Sequence, residues 1–267
     1  MPSYVGTSFY RSLQIQGRVL FALLMREIIT RYGRHNIGFA WLFAEPMLFT
    51  SGIAALWTLL KEGGATSHHI NVIAYAITSY STVLVWRNTI SRCTLAIEPN
   101  MSLLVHRNVR PIDFFIARVV LELAGSSLSA LAMLSMFIVI GVIPAPVDIL
   151  TMLKGWFVLC WYSAAMAFLI GGLTEYSDLV EKLWHPIAYF QLPLSGVFAM
   201  AAWLPPKLRH IVLLFPVPNA VEVFRLGYFG DMIRPYYDMK YTCTVCLVLT
   251  WLGLLVVSGA SRRLDAK

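Results

Sequence analysis

Five arginines, Arg11, Arg18, Arg26, Arg31 and Arg34, stand ahead of an apolar run that opens at Ile37 and carries Glu45-Pro46 inside it. A guanidinium group recognises phosphate or carboxylate through paired hydrogen bonds. Arg11, Arg31 and Arg34 are therefore candidates for receiving an anionic ligand. Glu45 lies about 12 Å along a helix that begins at Ile37, and an ionisable group at that depth in an apolar segment is a functional candidate by default. Pro46 removes the hydrogen bond to the Leu42 carbonyl. Two readings stay open: a charged group at the mouth of a passage, or a structural kink.

A second group of residues offers apolar faces. Trp41, Tyr75, Tyr80, Trp161, Tyr162, Tyr189 and Phe198 could supply flat apolar surfaces to a ligand. The same aromatic types also form interfacial belts and helix packing. A third group lies between Pro99 and Pro111: Asn100, Leu103, Leu104, His106, Arg107 and Arg110. Proline starts helices and stops them, so the pair predicts a short helix of about 9 residues that needs a surface to dock against. Arg118 and Glu122 are expected to pair one helical turn apart.

Other chemistry finds little support. No lysine follows a glycine anywhere, so a phosphate-binding Gly-x-x-x-x-Gly-Lys-Ser/Thr loop is excluded. His68-His69 reads as a solvated turn rather than a metal site. Cys243-x-x-Cys246 reads as helix packing, since no second ligand pair accompanies it. Asp178 and His185 come with no recognisable nucleophile motif.

These residues need a membrane to be positioned in. The chain of 267 residues is 58% hydrophobic and 13% charged, with a mean hydropathy of +0.68, far from a soluble composition. The expected fold class is an all-α integral membrane protein of one domain over 1–267. Six spans are expected, at 37–60, 70–90, 114–142, 150–173, 183–203 and 241–260. An amphipathic helix at 8–34 is expected to lie along the inner surface, with Leu13, Leu20, Leu24 and Ile28 on its apolar side. The connection 203–240 is too long to be structureless. It predicts two short helices, the second beginning after an Asn219 cap, that form a re-entrant pair between spans five and six. Fourteen of the 21 lysines and arginines fall on one side, which puts both termini in the cytoplasm. No cleavable leader is expected, because Arg26-Glu27 follows Val19–Met25 directly. The net charge of +7 hugs the spans and suits anionic lipid or substrate, with no nucleic acid.

Arg26-Glu27, Arg31-Tyr32, Gly38, Trp41, Glu45-Pro46, Asn100, Leu103-Leu104, Pro111 and the stretch Pro216–Arg225 together resemble the membrane subunit of an ABC-2-type exporter. The likeness is greatest to the permeases of capsular polysaccharide export. One departure is Val109 just before Arg110-Pro111, where many relatives carry an aromatic next to the proline. The resemblance implies a transport subunit with no cofactor of its own and no enzymatic activity. ATP and Mg would be held by two separate ATP-binding subunits beneath a homodimer of this chain. It makes 99–111 the ATPase-coupling helix and a lipid-linked acidic polysaccharide the substrate. It also implies a bacterial inner-membrane location, a periplasmic co-polymerase and an outer-membrane export channel. Export of O-antigen or teichoic acid, of a small lipid or drug, and ion-coupled transport are the alternatives.

Overall fold

A computed structural model describes residues 9–32, 47–48, 51–52, 55–56, 70–104 and 109–265. Arg34, Trp41, Glu45, His68, His69, His106 and Arg107 lie outside the described residues, as does most of the expected span 37–60. Among the described residues every regular element is helical. α1 runs Phe9–Tyr32, α2 Val72–Cys93, α3 Pro111–Val139, α4 Ile149–Thr174, α5 Asp178–Leu194, α6 Pro206–Leu213, α7 Pro216–Phe229 and α8 Met239–Asp265. Among the described residues three helices are long and apolar enough to cross a membrane: Pro111–Val139, Ile149–Thr174 and Met239–Arg263. α6 and the stretch from Pro216 to Met232 form a bent pair with an angle of 104°.

Local chemistry explains the starts. The Asn71 carboxamide accepts from Ile73 and Ala74 N–H and donates to the Val142 carbonyl, which caps α2 and ties it to the end of α3. Asp148 caps α4 by accepting from Leu150 and Thr151. Hydrogen bonding to Thr151 holds its carboxyl below the usual range. α2 contains many hydroxyls, and Thr78, Thr82 and Thr89 each donate to a carbonyl of the preceding turn. Their polar groups are thereby satisfied inside the helix, and α2 can be buried on nearly all sides.

α4 is the hub, packing against α2, α7, α8 and α5. Small residues make this possible. A Cβ on Gly155 would strike the Phe224 backbone of α7, and one on Gly227 would strike the Met152 backbone of α4. The two helices touch main chain to main chain.

Three expectations are corrected. Over 99–111 the described residues, which leave out 105–108, do not form the single helix expected. A 3-10 helix occupies Glu98–Leu103, and Pro111 opens α3. The reason is that proline lacks an N–H and suits a first helical position; the Asp113 carboxylate then accepts from the Arg110 N–H at 2.8 Å and closes the start. α7 begins at Pro216 rather than after Asn219. Both Pro216 and Pro218 sit in the first turn, where their missing N–H groups cost nothing. Asn219 instead donates to the Leu213 and Phe215 carbonyls and accepts from the Asp238 N–H. The expected span 183–203 is a helix over Asp178–Leu194 that ends in a turn at Ser195-Gly196, where Gly196 has φ +78°. On α1, Leu23 is the buried contact while Leu13 is exposed, along with Phe21, Met25 and Ile29.

Candidate functional site

One end of the bundle gathers the basic residues. α1 lies across the start of α3, and Gln16 donates to the Asp113 carboxylate. Further along α1, Arg26 donates to the Asn100 side-chain oxygen at 2.6 Å. Asn100 in turn donates to the Ala96 carbonyl at 2.9 Å. Glu27 faces Arg118 at 3.4 Å, and Arg118 donates to the Arg92 and Thr94 carbonyls at the end of α2. Glu122 lies 3.9 Å from Arg92. Arg118 and Glu122 were expected to serve each other; each has an ion-pair partner on another helix. Sequence periodicity could see only the partner on the same helix, and nothing in it links Glu27 to Arg118.

The other side of the same connection is held by the end of α4. The Leu95 N–H donates to the Thr174 hydroxyl at 3.1 Å, and the Ile97 N–H to the Glu175 carboxylate at 2.9 Å. Burial raises the Glu175 carboxyl above its usual range, partly offset by that amide and by Arg118. Leu95 carries φ +48°, a left-handed conformation that is uncommon for leucine. The connection from α2 to α3 is thus clamped from α1, α3 and α4 together.

This clamp sorts the residues singled out between Pro99 and Pro111. Asn100 is buried and bonded inward. Leu103 and Leu104 are half-buried and pack on the core. Glu98, Pro99, Met101, Ser102 and Arg110 face outward. Arg11 and Arg18 are exposed on α1, and Arg31 falls in its last turn.

The aromatics divide in the same way. Tyr75 is 2% exposed; its hydroxyl donates to the Val197 carbonyl at 3.0 Å and its ring lies against Trp203. Tyr162 is buried and accepts from Gln191 at 3.1 Å. Neither offers a face to a ligand in this conformation, because core packing has used both sides of the ring. Trp161 and Tyr80 are half-buried, and the Trp161 indole donates to Thr250. Tyr189 and Phe198 are exposed at 62% and 54%, and Arg87 stands 5.7 Å over the Tyr189 ring. Phe190, which the sequence did not single out, is 79% exposed beside them. Leu179, Leu183, Ile187 and Phe190 recur every three or four residues and leave one face of α5 apolar and uncovered.

At the opposite end a charged pair is sealed inside the protein. Arg225 is 0% exposed and Glu222 2%. Arg225 donates to the Ser79 hydroxyl of α2 at 2.6 Å, lies 3.7 Å from Glu222 and stacks over the Tyr75 ring at 4.7 Å. Glu222 accepts from the Ala201 N–H at 3.2 Å and the Tyr236 N–H at 3.4 Å. Arg225 was part of a family-like stretch in the sequence, and Glu222 lies within one turn of it, but its partners on α2 are remote (the Ser79 separation is 146), beyond any local signal.

Comparison with known proteins gives the family. The ABC-2 type transporter family matches residues 18–229, from the middle of α1 to the end of α7. The capsule polysaccharide export inner-membrane protein CtrC of Neisseria meningitidis serogroup A is 40% identical over 259 residues, 97% of each chain. The capsule polysaccharide export inner-membrane protein BexB of Haemophilus influenzae is 39% identical over the same shares. The polysialic acid transport protein KpsM of Escherichia coli is 26% identical over 250 residues, 90% of this chain and 93% of that one. With an all-helical bundle, a family match over most of its length and relatives aligned nearly end to end, the chain belongs to the ABC-2 type transporter family.

Proposed function

We propose that this chain is the membrane subunit of an ATP-driven exporter that moves lipid-linked capsular polysaccharide across a bacterial inner membrane. The observation that carries the reading is the near end-to-end similarity to capsule export inner-membrane proteins. Six spans with both termini inside, the bent pair α6–α7 as a re-entrant hairpin, and a homodimer over two ATP-binding subunits complete the proposal. ATP and Mg belong to those subunits, since this chain lacks a phosphate-binding loop.

In this reading the outward side of the Glu98–Leu103 turn, with Met101 and Ser102, seats in the ATPase. Closure of the ATPase then displaces α2 and α3 together, because Asn100, Arg118 and Glu175 hold the turn to their ends. Arg11, Arg31 and Arg34 receive the anionic lipid end of the substrate, with Glu45 at the mouth of the conduit. Tyr189, Phe190 and Phe198, exposed on and just after α5, supply sugar-facing surfaces. A periplasmic co-polymerase and an outer-membrane channel receive the polymer.

The test is complementation of a strain lacking this gene. The wild-type chain restores surface polysaccharide, and removal of residues 99–111 leaves the protein in the membrane without a co-purifying ATPase. Reversing charge at Arg31 and Arg34 together abolishes export while the ATPase still co-purifies. Wild-type export from that double variant would remove the arginines from the substrate path.

A further inference from the structure

The cluster around Arg225 has a position that suits control of transport rather than mere packing. It joins segments that are remote in sequence: Tyr75 and Ser79 of α2, Val197 and Ala201 after α5, Glu222 and Arg225 of α7, and Tyr236 before α8. Ser79, Tyr75 and Glu222 touch the guanidinium directly, and Val197, Ala201 and Tyr236 bond to Tyr75 or Glu222.

Two physical features distinguish it from an ordinary buried ion pair. First, Arg225 is incompletely satisfied. Its Nη2 donates to Ser79, but Nε and Nη1 have no hydrogen-bond partner among the described residues, and the Glu222 oxygen lies 3.7 Å away. A buried cation is costly unless it is paired, so this guanidinium depends on Ser79, Glu222 and Tyr75 for its compensation. Second, the helix it grips is a lever. α2 runs unbroken from Val72 to Cys93 and contains neither proline nor glycine, so it can carry a displacement along its length. Ser79 lies 14 residues from Cys93, about 21 Å along a straight helix. At Cys93 begins the connection clamped by Arg118, Thr174 and Glu175.

We propose that Arg225 is a positioning residue that latches α2 to α7. A shift of α2 imposed at the 94–104 turn must then break or remake the Ser79 bond before the opposite end can rearrange. The proposal rests on the reading that a partner ATPase drives this chain from the basic end. The Glu222 carboxylate, itself held by two backbone N–H groups, keeps the guanidinium aimed at α2.

The experiment compares wild type, Arg225→Gln, Arg225→Lys and Ser79→Ala in the complex purified through a tag on this chain, together with surface polysaccharide in cells. The readout is the ratio of export to ATP hydrolysis, which a purely structural role would not move once protein level is matched. Arg225→Gln is expected to co-purify with the ATPase, keep hydrolysis, and lower the export ratio by about tenfold, as loss of a charge-assisted bond would. Ser79→Ala should lower it by about threefold, and the double variant should be no worse than Arg225→Gln, since both remove one link. Arg225→Lys, which keeps the charge without the fork, should fall between. A wild-type ratio in Arg225→Gln overturns the latch. If Arg225→Gln does not accumulate in the membrane, Ser79→Ala decides: a lowered ratio supports the latch and a wild-type ratio overturns it. A wild-type complex without a co-purifying ATPase overturns the driving reading and the latch with it, whereas a normal ratio with the ATPase bound overturns the latch alone.

Discussion

Glu175 shows how much a single position depends on its surroundings. It follows α4 immediately, accepts the Ile97 N–H, and has its carboxyl raised by burial. A raised carboxyl pKa means that the folded chain holds the proton more tightly than the unfolded one. Stability is then greatest below the unfolded pKa of about 4.3 and falls as pH rises through the folded value. Glu175→Gln keeps an acceptor for Ile97 and removes the charge, so its Tm at pH 7.5 should rise by about 1–3 °C, and it should lose less stability than wild type as pH rises above about 4.3. A steeper loss in the variant would contradict burial as the cause. Asn100→Ala should act in the opposite sense. It deletes the bonds from Arg26 and to Ala96, costs about 1–2 kcal/mol, and should speed amide exchange in residues 94–104. The types of these residues were plain in the sequence. Their directions were not: Asn100 was singled out for an outward task and turns inward.

Among the elements, α4 and α7 are joined by close backbone contact at Gly155 and Gly227. Gly227→Leu would force the two helices apart and should cost about 3 kcal/mol or more, read as lost yield and a lower Tm of the detergent-solubilised protein. Gly17 offers the control, because a Cβ there meets nothing within 4 Å; Gly17→Ala in mid-α1 should be neutral or stabilise by up to about 1 kcal/mol. Equal damage from both would show that helix propensity, not contact, sets the outcome. Helix existence was largely legible, since apolar length is a property of local sequence. The ends at Pro111 and Pro216 were misread because proline punctuates in both directions, opening a helix as readily as closing one. Only the capping partners choose between them.

For the whole molecule, the family shown above argues for assembly. In lipid nanodiscs the tagged complex is expected to contain two copies of this 30.0 kDa chain and two ATPase subunits, as measured by mass photometry. Tyr189→Ala with Phe190→Ala should cut export by about fivefold or more without changing that mass, if sugar rings use this face; a change of mass would make the face a subunit contact instead. Composition and the lengths of apolar runs pointed to a helical membrane protein, and the order of glycine and lysine excluded a Gly-x-x-x-x-Gly-Lys-Ser/Thr loop within this sequence. Those conclusions need only residue types and local spacing, because bilayer insertion and phosphate binding by a loop both act over short stretches of chain. Tertiary structure alone decided the rest. It clamped the 94–104 turn between α1, α3 and α4, and it turned Tyr75 and Tyr162 inward while leaving Tyr189 and Phe190 exposed. It also brought Arg225 to Ser79 across 146 residues. A buried charge must find its partner wherever packing places one, and spacing along the chain carries no record of that.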